Sequence, residues 1–300
     1  MLYIRIPSIM KRILIIILAL LIVSPLAFAE KRAFLVGISK YKTEWRDIHG
    51  SEDVALLSRE LINQDFQVTI VTNEQATRNG IINGLKAFIK KIKKGDIVYI
   101  HFSTHGQPVE DGLNGRAHEE ADGWDEAIVP YDAGSRYVKN GYDGSKHITD
   151  DELNGYVSQI RTMIGPKGAL YVVMDACHAG NMSRGNGTPR GTNEGLSRSG
   201  KKYSFANAEH KHHYRLANDA KLAPTLFLEA CTSKERNTEI FVKGKEYGSL
   251  SYMVYLTLSD KKKGKIGAKP DTFERAVRWY TTTGSKFWPK NQTLVSETSY

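Results

Sequence analysis

Two short stretches of this sequence carry residues whose types and spacing could perform nucleophilic chemistry. Cys177 follows the apolar run 170–174, and His105 follows the apolar run 97–102. A thiol becomes a good nucleophile when it loses its proton, and a nearby imidazole can accept that proton. The two residues therefore predict a Cys-His nucleophile. The alternative is that Cys177 is a buried core cysteine, which is the common fate of a lone cysteine.

The two runs that precede these residues must position them. Both are short, apolar and rich in β-branched and aromatic residues, which is typical of strands buried on both faces of a parallel sheet. If the strands are neighbours, His105 and Cys177 emerge at the carboxyl edge of the sheet, where open α/β sheets place their chemistry. Gly106 permits close backbone approach, so its N–H and that of Cys177 could face a developing oxyanion.

The residues around this pair resemble a known family. S-T-H-G at 103–106 and D-A-C-H-A-G at 175–180 are similar to the His-Gly and Asp-x-Cys-x-x-Gly motifs of caspase-like cysteine peptidases. Asp-Ala before the cysteine is the form of the metacaspase and bacterial orthocaspase branch, whereas animal caspases have Gln-Ala. The resemblance extends from about Arg32 to the C-terminus. It departs from the pattern at Thr104, where glycine is common, and in the long segment after Cys177. It implies a three-layer α/β/α sandwich around a mostly parallel central sheet of about six strands.

The resemblance also implies a function, that of a cysteine endopeptidase in which Cys177 attacks the scissile carbonyl and His105 handles the proton. It matches Asp53 and Asp175 to the carboxylates of the primary specificity pocket and Ser103 to a residue that lines it. Two carboxylates in a partly desolvated cleft favour a bidentate arginine or a lysine ammonium. We therefore expect protein or peptide substrates with Arg or Lys before the cut. Alternatively, Asp53 is a first-turn acid that complements a helix dipole, and Asp175 is a turn residue.

Two other functions remain open at this point. One is that of a clostripain-like or gingipain-like peptidase, since these enzymes share the same kind of fold. A non-catalytic caspase-like scaffold would bind partners without cutting them, although the intact His105 and Cys177 speak against it.

The N-terminus predicts a signal peptide over residues 1–29. Three basic residues precede the apolar run 13–23, which is followed by Ala27-Phe28-Ala29, an A-x-A cleavage site. We expect Glu30 to begin the mature protein and residues 30–300 to form one exported peptidase domain, periplasmic or extracellular. The apolar run is too short for a comfortable membrane span, so no stable membrane insertion is expected after leader removal. The alternative is an uncleaved anchor.

Charge and cysteine content exclude some classes of partner and cross-link. The net charge of +9 falls to +6 when the three basic residues of 1–29 are removed. The remaining excess is scattered over several lysine pairs rather than collected in one stripe, so nucleic-acid binding is not expected. Cys177 and Cys231 are the only cysteines. They imply no disulfide framework, and we expect both to be free thiols.

Two further segments raise the question of a metal. Residues 108–151 are acidic and glycine-rich, and carboxylate oxygens suit Ca²⁺. Several metacaspases are activated by calcium through acidic residues in this general region. There is no EF-hand spacing, and solvated loop acids are the alternative. The histidine-rich run 209–213 is better explained as a flexible polar segment than as a metal site. We expect no required cofactor and leave activation by Ca²⁺ open.

The segment 181–221, which follows the nucleophile directly, lacks periodicity and is rich in Gly, Ser, Asn, Arg and Lys. Long stretches of this kind inside a compact domain are usually functional or disordered loops. We expect a flexible activation loop, and a latent enzyme that matures by cutting itself there. The candidate positions for that cut are Arg184, Arg190, Arg198, Lys201 and Lys202.

Overall fold

The computed structural model describes residues 29–113, 122–176, 187–192, 194–204, 216 and 218–300. Four predictions therefore concern residues outside the described ones: the leader up to residue 28, the nucleophile Cys177, the candidate cut position Arg184 and the histidine-rich run 209–213. Within the described ranges, no helix is long and apolar enough to cross a membrane.

The described part of the chain contains strands in a central sheet, a second small sheet and a hairpin. The strands are β1 (Lys31–Gly37), β2 (Phe66–Thr72), β3 (Ile97–Ser103), β4 (Gly106–Glu110), β5 (Trp124–Ile128), β6 (Ile148–Thr149), β7 (Ala169–Asp175), β8 (Thr225–Glu229), β9 (Glu239–Val242), β10 (Lys245–Gly248) and β11 (Val295–Thr298). The central sheet has the order β11-β8-β7-β3-β1-β2. Every neighbouring pair in it is parallel except β11 with β8. The predicted mostly parallel sheet of about six strands is confirmed.

Helices cover both faces of this sheet. They are α1 (Gly50–Ile62), α2 (Arg78–Ile89), α3 (Asp150–Ile164), α4 (Ser249–Ser259) and α5 (Pro270–Trp279). Apolar residues three and four positions apart form a stripe along each helix that is stable only when buried. On one face Leu85 of α2 and Ile160 of α3 join the core, and on the other Leu57 of α1, Val254 of α4 and Phe273 of α5 do so. The result is the expected three-layer sandwich.

The smaller sheets lie beyond the carboxyl edge of the central sheet. Strands β4, β5 and β6 form an antiparallel sheet, and β9 and β10 form a hairpin. Strand β4 begins immediately after His105, and β10 leads directly into α4. The small sheet and the hairpin therefore both lie next to the carboxyl edge of the central sheet, where we expect the candidate residues.

Register brings several chain segments to one point on that edge. Ser103 is paired with Asp175 on one side and with Gly37 on the other. Gly50 begins α1 so close to β3 that a Cβ atom there would lie 2.2 Å from the Ser103 carbonyl oxygen. The missing side chain lets the first turn of α1, including Asp53, reach the end of β3.

Candidate functional site

A buried cluster of four charged side chains occupies the carboxyl edge of the central sheet. Asp53 comes from the first turn of α1, Asp175 from the end of β7, Glu239 from the start of β9, and Arg190 from the segment 187–192. All four side chains are 0% exposed. Buried charges are strongly unfavourable unless they are paired and hydrogen-bonded.

The guanidinium of Arg190 is paired on both of its terminal nitrogens. Nη2 donates to Asp53 Oδ2 at 2.6 Å and to Glu239 Oε1 at 2.7 Å. Nη1 donates to the hydroxyl of Ser103. That hydroxyl in turn donates to Asp53 Oδ2 at 2.7 Å. Burial alone would lower the pKa of Arg190, but the neighbouring carboxylates outweigh it and raise that pKa, so the guanidinium stays charged.

Asp175 lies on the Nη1 side of the Arg190 guanidinium. We call the space around this guanidinium, between Asp53, Asp175 and Glu239, the pocket. Asp175 Oδ2 lies 3.9 Å from Arg190 Nη1. Asn237 Nδ2 donates to Oδ1 at 2.6 Å, and the backbone N–H and hydroxyl of Ser251 donate to Oδ2 at 2.7 and 2.6 Å. Burial opposes ionisation, but Arg190 and these donors outweigh it and hold the pKa of Asp175 below its ordinary value. Asp175 is therefore a fixed negative charge at neutral pH.

Asp53 behaves differently from Asp175. Burial raises the pKa of Asp53 to about 7; the charge of Asp175 acts in the same direction, whereas Arg190 and the Ser103 hydroxyl oppose it. The backbone N–H of Gly248 also donates to its carboxylate, at 3.1 Å from Oδ1. The charge of this pocket therefore changes near neutral pH.

The backbone of Arg190 is bound on both sides. Its carbonyl oxygen accepts the N–H of Gly106 at 3.1 Å, and its own N–H donates to the Asn237 carbonyl at 3.1 Å. Two residues before Arg190, the carbonyl oxygen of Thr188 accepts the N–H of Glu239 at 2.8 Å. Residues 188–190 therefore run as a short antiparallel strand beside 237–239.

The chain after Arg190 is held against β4. Gly191 forms a parallel bridge with Gly106. Further on, the Leu196 N–H donates to the Pro108 carbonyl at 2.8 Å, and the Leu196 side chain is fully buried beside Val109. The low apolar content of 181–221 predicted no packed position for this segment. In the described ranges 187–192 and 194–204, Arg190 and Leu196 are nevertheless fully buried, and Glu110 accepts the backbone N–H groups of Arg198 and Ser199.

His105 lies beside the Arg190 backbone with its ring between two aromatic rings, 5.1 Å from that of Tyr41 and 5.0 Å from that of Trp45. Its Nε2 lies 2.8 Å from the Arg46 carbonyl oxygen. Because a carbonyl only accepts, Nε2 carries the hydrogen and Nδ1 keeps its lone pair. Among the described residues, none is hydrogen-bonded to Nδ1.

The protonation state of His105 suits a base. Burial lowers the pKa of His105 to about 4, so the ring is neutral at neutral pH. Beside it lies an open cleft of about 710 Å³, lined by His105, Trp45, Pro189 and Gly191 among others. The cleft thus borders the residues on either side of Arg190.

The structure brings most of the predicted site residues together. Asp53, Ser103 and Asp175 meet around the guanidinium of Arg190. His105 and Gly106 lie beside the backbone of the same arginine. Cys177 belongs to the part of the chain that is not described.

Two residues of the site were missed from the sequence: Glu239, which belongs to the cluster, and Asn237, which donates to Asp175. The available signal was a carboxylate at the head of the apolar strand E-I-F-V. That signal is weak, because a glutamate at the start of a short strand is usually solvated.

The described residues contain one group of side chains that could hold a metal ion. The ligand atoms of His49, Glu239 and Glu246 lie within 4.8 Å of one another. No such group lies among the described acids of 108–151, where calcium binding was considered, and calcium activation stays a prediction.

Comparison with known proteins finds that this chain is similar to metacaspases. The chain is 31% identical over 170 residues to Metacaspase-2 of Arabidopsis thaliana, a match that covers 53% of this chain and 36% of that protein. It is 30% identical over 162 residues to Metacaspase-1B of Aspergillus terreus, with coverages of 50% and 38%. The chain therefore spans little more than a third of the length of these curated relatives.

Solved structures show a similar fold. Protein GSU0716 from Geobacter sulfurreducens superposes with a TM-score of 0.59 at 20% identity, covering 90% of this chain and 93% of that one. Pro-sf-caspase-1 superposes with a TM-score of 0.50 at 14% identity, with coverages of 90% and 86%. The family model described as metacaspase, peptidase C14 domain, matches residues 31–184, which are 154 of the 300 residues. The chain belongs to the metacaspase family.

Proposed function

We propose that this protein is a cysteine endopeptidase that cuts after arginine or lysine, and that its first substrate is its own Arg190–Gly191 bond. One observation carries the proposal: Arg190 lies extended, with its side chain among three carboxylates and its carbonyl on the Gly106 N–H. A peptide needs both contacts at the residue before the scissile bond, one for recognition and one to stabilise the developing oxyanion.

The nucleophile we assign is Cys177. It follows Asp175 by two residues, as His105 follows Ser103 by two, and Ser103 and Asp175 are register partners on adjacent parallel strands. This arrangement supports delivery of the thiol and the imidazole to the same edge of the sheet.

The reaction then follows the chemistry of thiol peptidases. Cys177 Sγ attacks the carbonyl carbon of Arg190 as its proton passes to His105 Nδ1. The carbonyl oxygen gains negative charge opposite the Gly106 N–H. His105 returns the proton to the nitrogen of Gly191, and the C–N bond breaks. Water hydrolyses the thioester, which frees the Arg190 carboxylate and restores the thiol.

The tethered arginine also supports the proposal that the uncut enzyme is latent. A segment attached beside its own site is present at a very high effective concentration and excludes external substrates from the pocket. After the cut, we expect the two fragments to stay associated because β8 pairs with β7 in the central sheet. Export through the 1–29 leader belongs to the same proposal, since a secreted peptidase benefits from reaching its destination inactive.

Peptide hydrolysis tests the proposed activity. Fluorogenic peptides that differ only in the residue before the cut should be hydrolysed when it is Arg or Lys and spared when it is Asp or Leu. Parallel assays with calcium and with a chelator test the open calcium question. A preference for Asp would contradict the pocket, because three carboxylates repel a fourth.

Gly248 offers a steric test of the pocket. A Cβ atom there would lie 2.2 Å from Asp175 Oδ2 and 2.7 Å from Arg190 Cζ. We expect Gly248→Ala to lower kcat/KM for Arg peptides by on the order of 10-fold or more, because overpacking of this size costs 1–3 kcal/mol. Gly155→Ala is the matched control, since a Cβ at Gly155 of α3 meets nothing within 4 Å. Unchanged kinetics in Gly248→Ala would show that substrates do not enter this pocket.

Asp53 predicts a pH dependence of substrate binding. The pKa of Asp53 is about 7 with a guanidinium in place; burial is the largest cause of this raised value, and the charge of the guanidinium opposes it. Binding of arginine therefore releases a proton above about pH 7, and affinity increases as the pH rises through this range. We expect KM of the processed enzyme for Arg peptides to fall from neutral to mildly alkaline pH. Asp53→Asn should flatten this dependence, and a wild-type KM that rises instead would contradict the assignment.

A further inference from the structure

The chain that follows Arg190 lies along the outer edge of strand β4. This strand is the terminal member of the small sheet β4-β5-β6, and an edge strand offers backbone N–H and C=O groups to an extended chain beside it. Gly191 forms a parallel bridge with Gly106, and Gly106 also donates its N–H to the Arg190 carbonyl at 3.1 Å. The described residues from 191 to 199, which we call the trailing segment, therefore begin at the proposed oxyanion donor.

Backbone groups of β4 and one buried amide hold the main chain of the trailing segment. The Leu196 N–H donates to the Pro108 carbonyl at 2.8 Å, and the Glu110 N–H donates to the Leu196 carbonyl at 2.9 Å. The side chain of Gln107, which is fully buried, donates from Nε2 to the Glu194 carbonyl at 2.8 Å. All three contacts are made to the main chain of the segment. A substrate whose arginine fills the pocket can therefore make them as its own chain continues along β4.

The size of two residues in the trailing segment is restricted by what they contact. Leu196 is fully buried in an apolar slot with Val109 and Ala127. Gly195 lies against the indole ring of Trp124, where a Cβ atom would be 2.3 Å from Cζ3. The slot therefore favours an apolar side chain, whereas the ring leaves room only for glycine.

The ring of Trp124 has little room to move aside. It is 4% exposed and packs edge-on against Tyr203, with the ring centroids 5.4 Å apart. Lys201 Nζ lies 5.4 Å from the centroid of the same ring and donates to the Asp122 carbonyl at 2.8 Å. A methyl group at position 195 would therefore meet a ring that its neighbours hold in place.

We infer that the edge of β4 is a second substrate-binding site, which selects protein substrates that carry glycine and leucine at the fifth and sixth positions after the cut arginine. In the uncut protein its occupant is the trailing segment, with Gly195 and Leu196 at those positions. The inference rests on the proposed function and deepens it, because the pocket binds the residue before the cut and the β4 edge binds the chain after it. The slot and the ring lie outside the motifs at 103–106 and 175–180.

Peptides added to the processed enzyme test this site. The parent peptide copies residues 188–197, Thr-Pro-Arg-Gly-Thr-Asn-Glu-Gly-Leu-Ser, and contains one arginine. Leu196→Ala in the peptide should lower kcat/KM by on the order of 10-fold, because the apolar slot is left unfilled. Gly195→Ala in the peptide should lower it by a similar factor, because the added methyl group overpacks the site. A peptide in which this glycine and leucine exchange places keeps the composition and charge, and it should lose at least as much.

Variants of the enzyme separate substrate binding from a structural role. Trp124→Phe removes the distal ring atoms that crowd position 195, so it should accept alanine at the fifth position while still preferring leucine at the sixth. Leu196→Ala in the enzyme weakens its own trailing segment as a competitor, so its preference for the parent peptide should exceed that of the wild type. Lys202→Ala is the matched control, because Lys202 is an exposed residue of the same loop, and its peptide preferences should equal those of the wild type.

The outcomes separate this inference from the proposed function. An enzyme that cuts none of the peptides after arginine would overturn both. Equal kcat/KM for the parent and the altered peptides, in the wild type and in the Leu196→Ala enzyme alike, would overturn the inference alone. So would a fifth-position penalty that persists unchanged in Trp124→Phe, because contact with the ring would then not be its cause. Should either variant fail to fold, the peptide comparison on the wild-type enzyme decides by itself.

Discussion

Replacing Arg190 with alanine is expected to leave the chain uncut between residues 190 and 191. The alanine side chain cannot reach Asp53, Asp175 or Glu239, so nothing fixes the scissile bond over the Gly106 N–H. The variant also leaves three buried carboxylates without their cation, and breaking a buried pair in this way costs about 3–5 kcal/mol. We expect loss of the cut on a gel, and a lower midpoint of thermal unfolding when the comparison is made in the Cys177→Ala background.

Matched arginine variants make this result specific. Arg198→Ala removes another candidate cut position whose side chain is absent from the pocket, and it should be processed like the wild type. The Arg190→Ala variant should still hydrolyse external Arg peptides, because its pocket is open. Normal processing of Arg190→Ala would show that another residue of the loop is the substrate.

Cys177→Ala and His105→Ala are each expected to abolish hydrolysis of external peptides, with losses in kcat of roughly 10⁴-fold or more. Without the thiol no acyl-enzyme forms, and without the imidazole no neutral base is available to take the thiol proton. The pKa of His105 is lowered to about 4 by burial, so the ring is neutral, with a lone pair that can accept a proton, throughout the neutral range. The measurement is kcat for an Arg peptide, with folding checked by circular dichroism.

Cys231→Ala controls for the second thiol. Cys231 is a buried cysteine whose Sγ donates to the Glu235 carbonyl at 3.7 Å. Its replacement should leave kcat within a few-fold of the wild type. If Cys177→Ala retains substantial turnover that Cys231→Ala removes, the nucleophile has been misassigned.

The central sheet could be predicted because its signals are local. Runs such as 97–102 and 170–174 are apolar on both faces, and only a strand covered by helices on both sides buries them fully. The helices between them carry one apolar stripe each. The order of these elements then places Ser103 and Asp175 at one edge, and the structure pairs them in register.

The second sheet was harder to predict. Strand β4 contains Pro108, which normally argues against a strand because it cannot donate a ladder hydrogen bond. In the structure β4 receives a partner on each side, since Glu110 donates to the Leu196 carbonyl while Pro108 only accepts. Leu196, which makes this pairing possible, lies 86 positions beyond Glu110 in the sequence. No local sequence pattern predicts a contact over that separation.

The pocket itself could be predicted in part. Asp53, Ser103 and Asp175 lie in recognisable motifs, whereas Glu239 and Asn237 reach the pocket through long-range packing. Arg190 was one of five basic candidates in a polar segment, and composition could not separate them. The distinction depends on which of the five meets carboxylates, and that is decided by the three-dimensional path of 187–192 alone.

The most direct test of the central claim is the N-terminal sequence of the C-terminal fragment released from the purified wild-type protein. The account predicts a fragment that begins Gly191-Thr192, appears without any added peptidase and is absent from Cys177→Ala. A wild-type chain that remains intact while hydrolysing Arg peptides at full rate would contradict it, as would a fragment that begins after any residue other than Arg190.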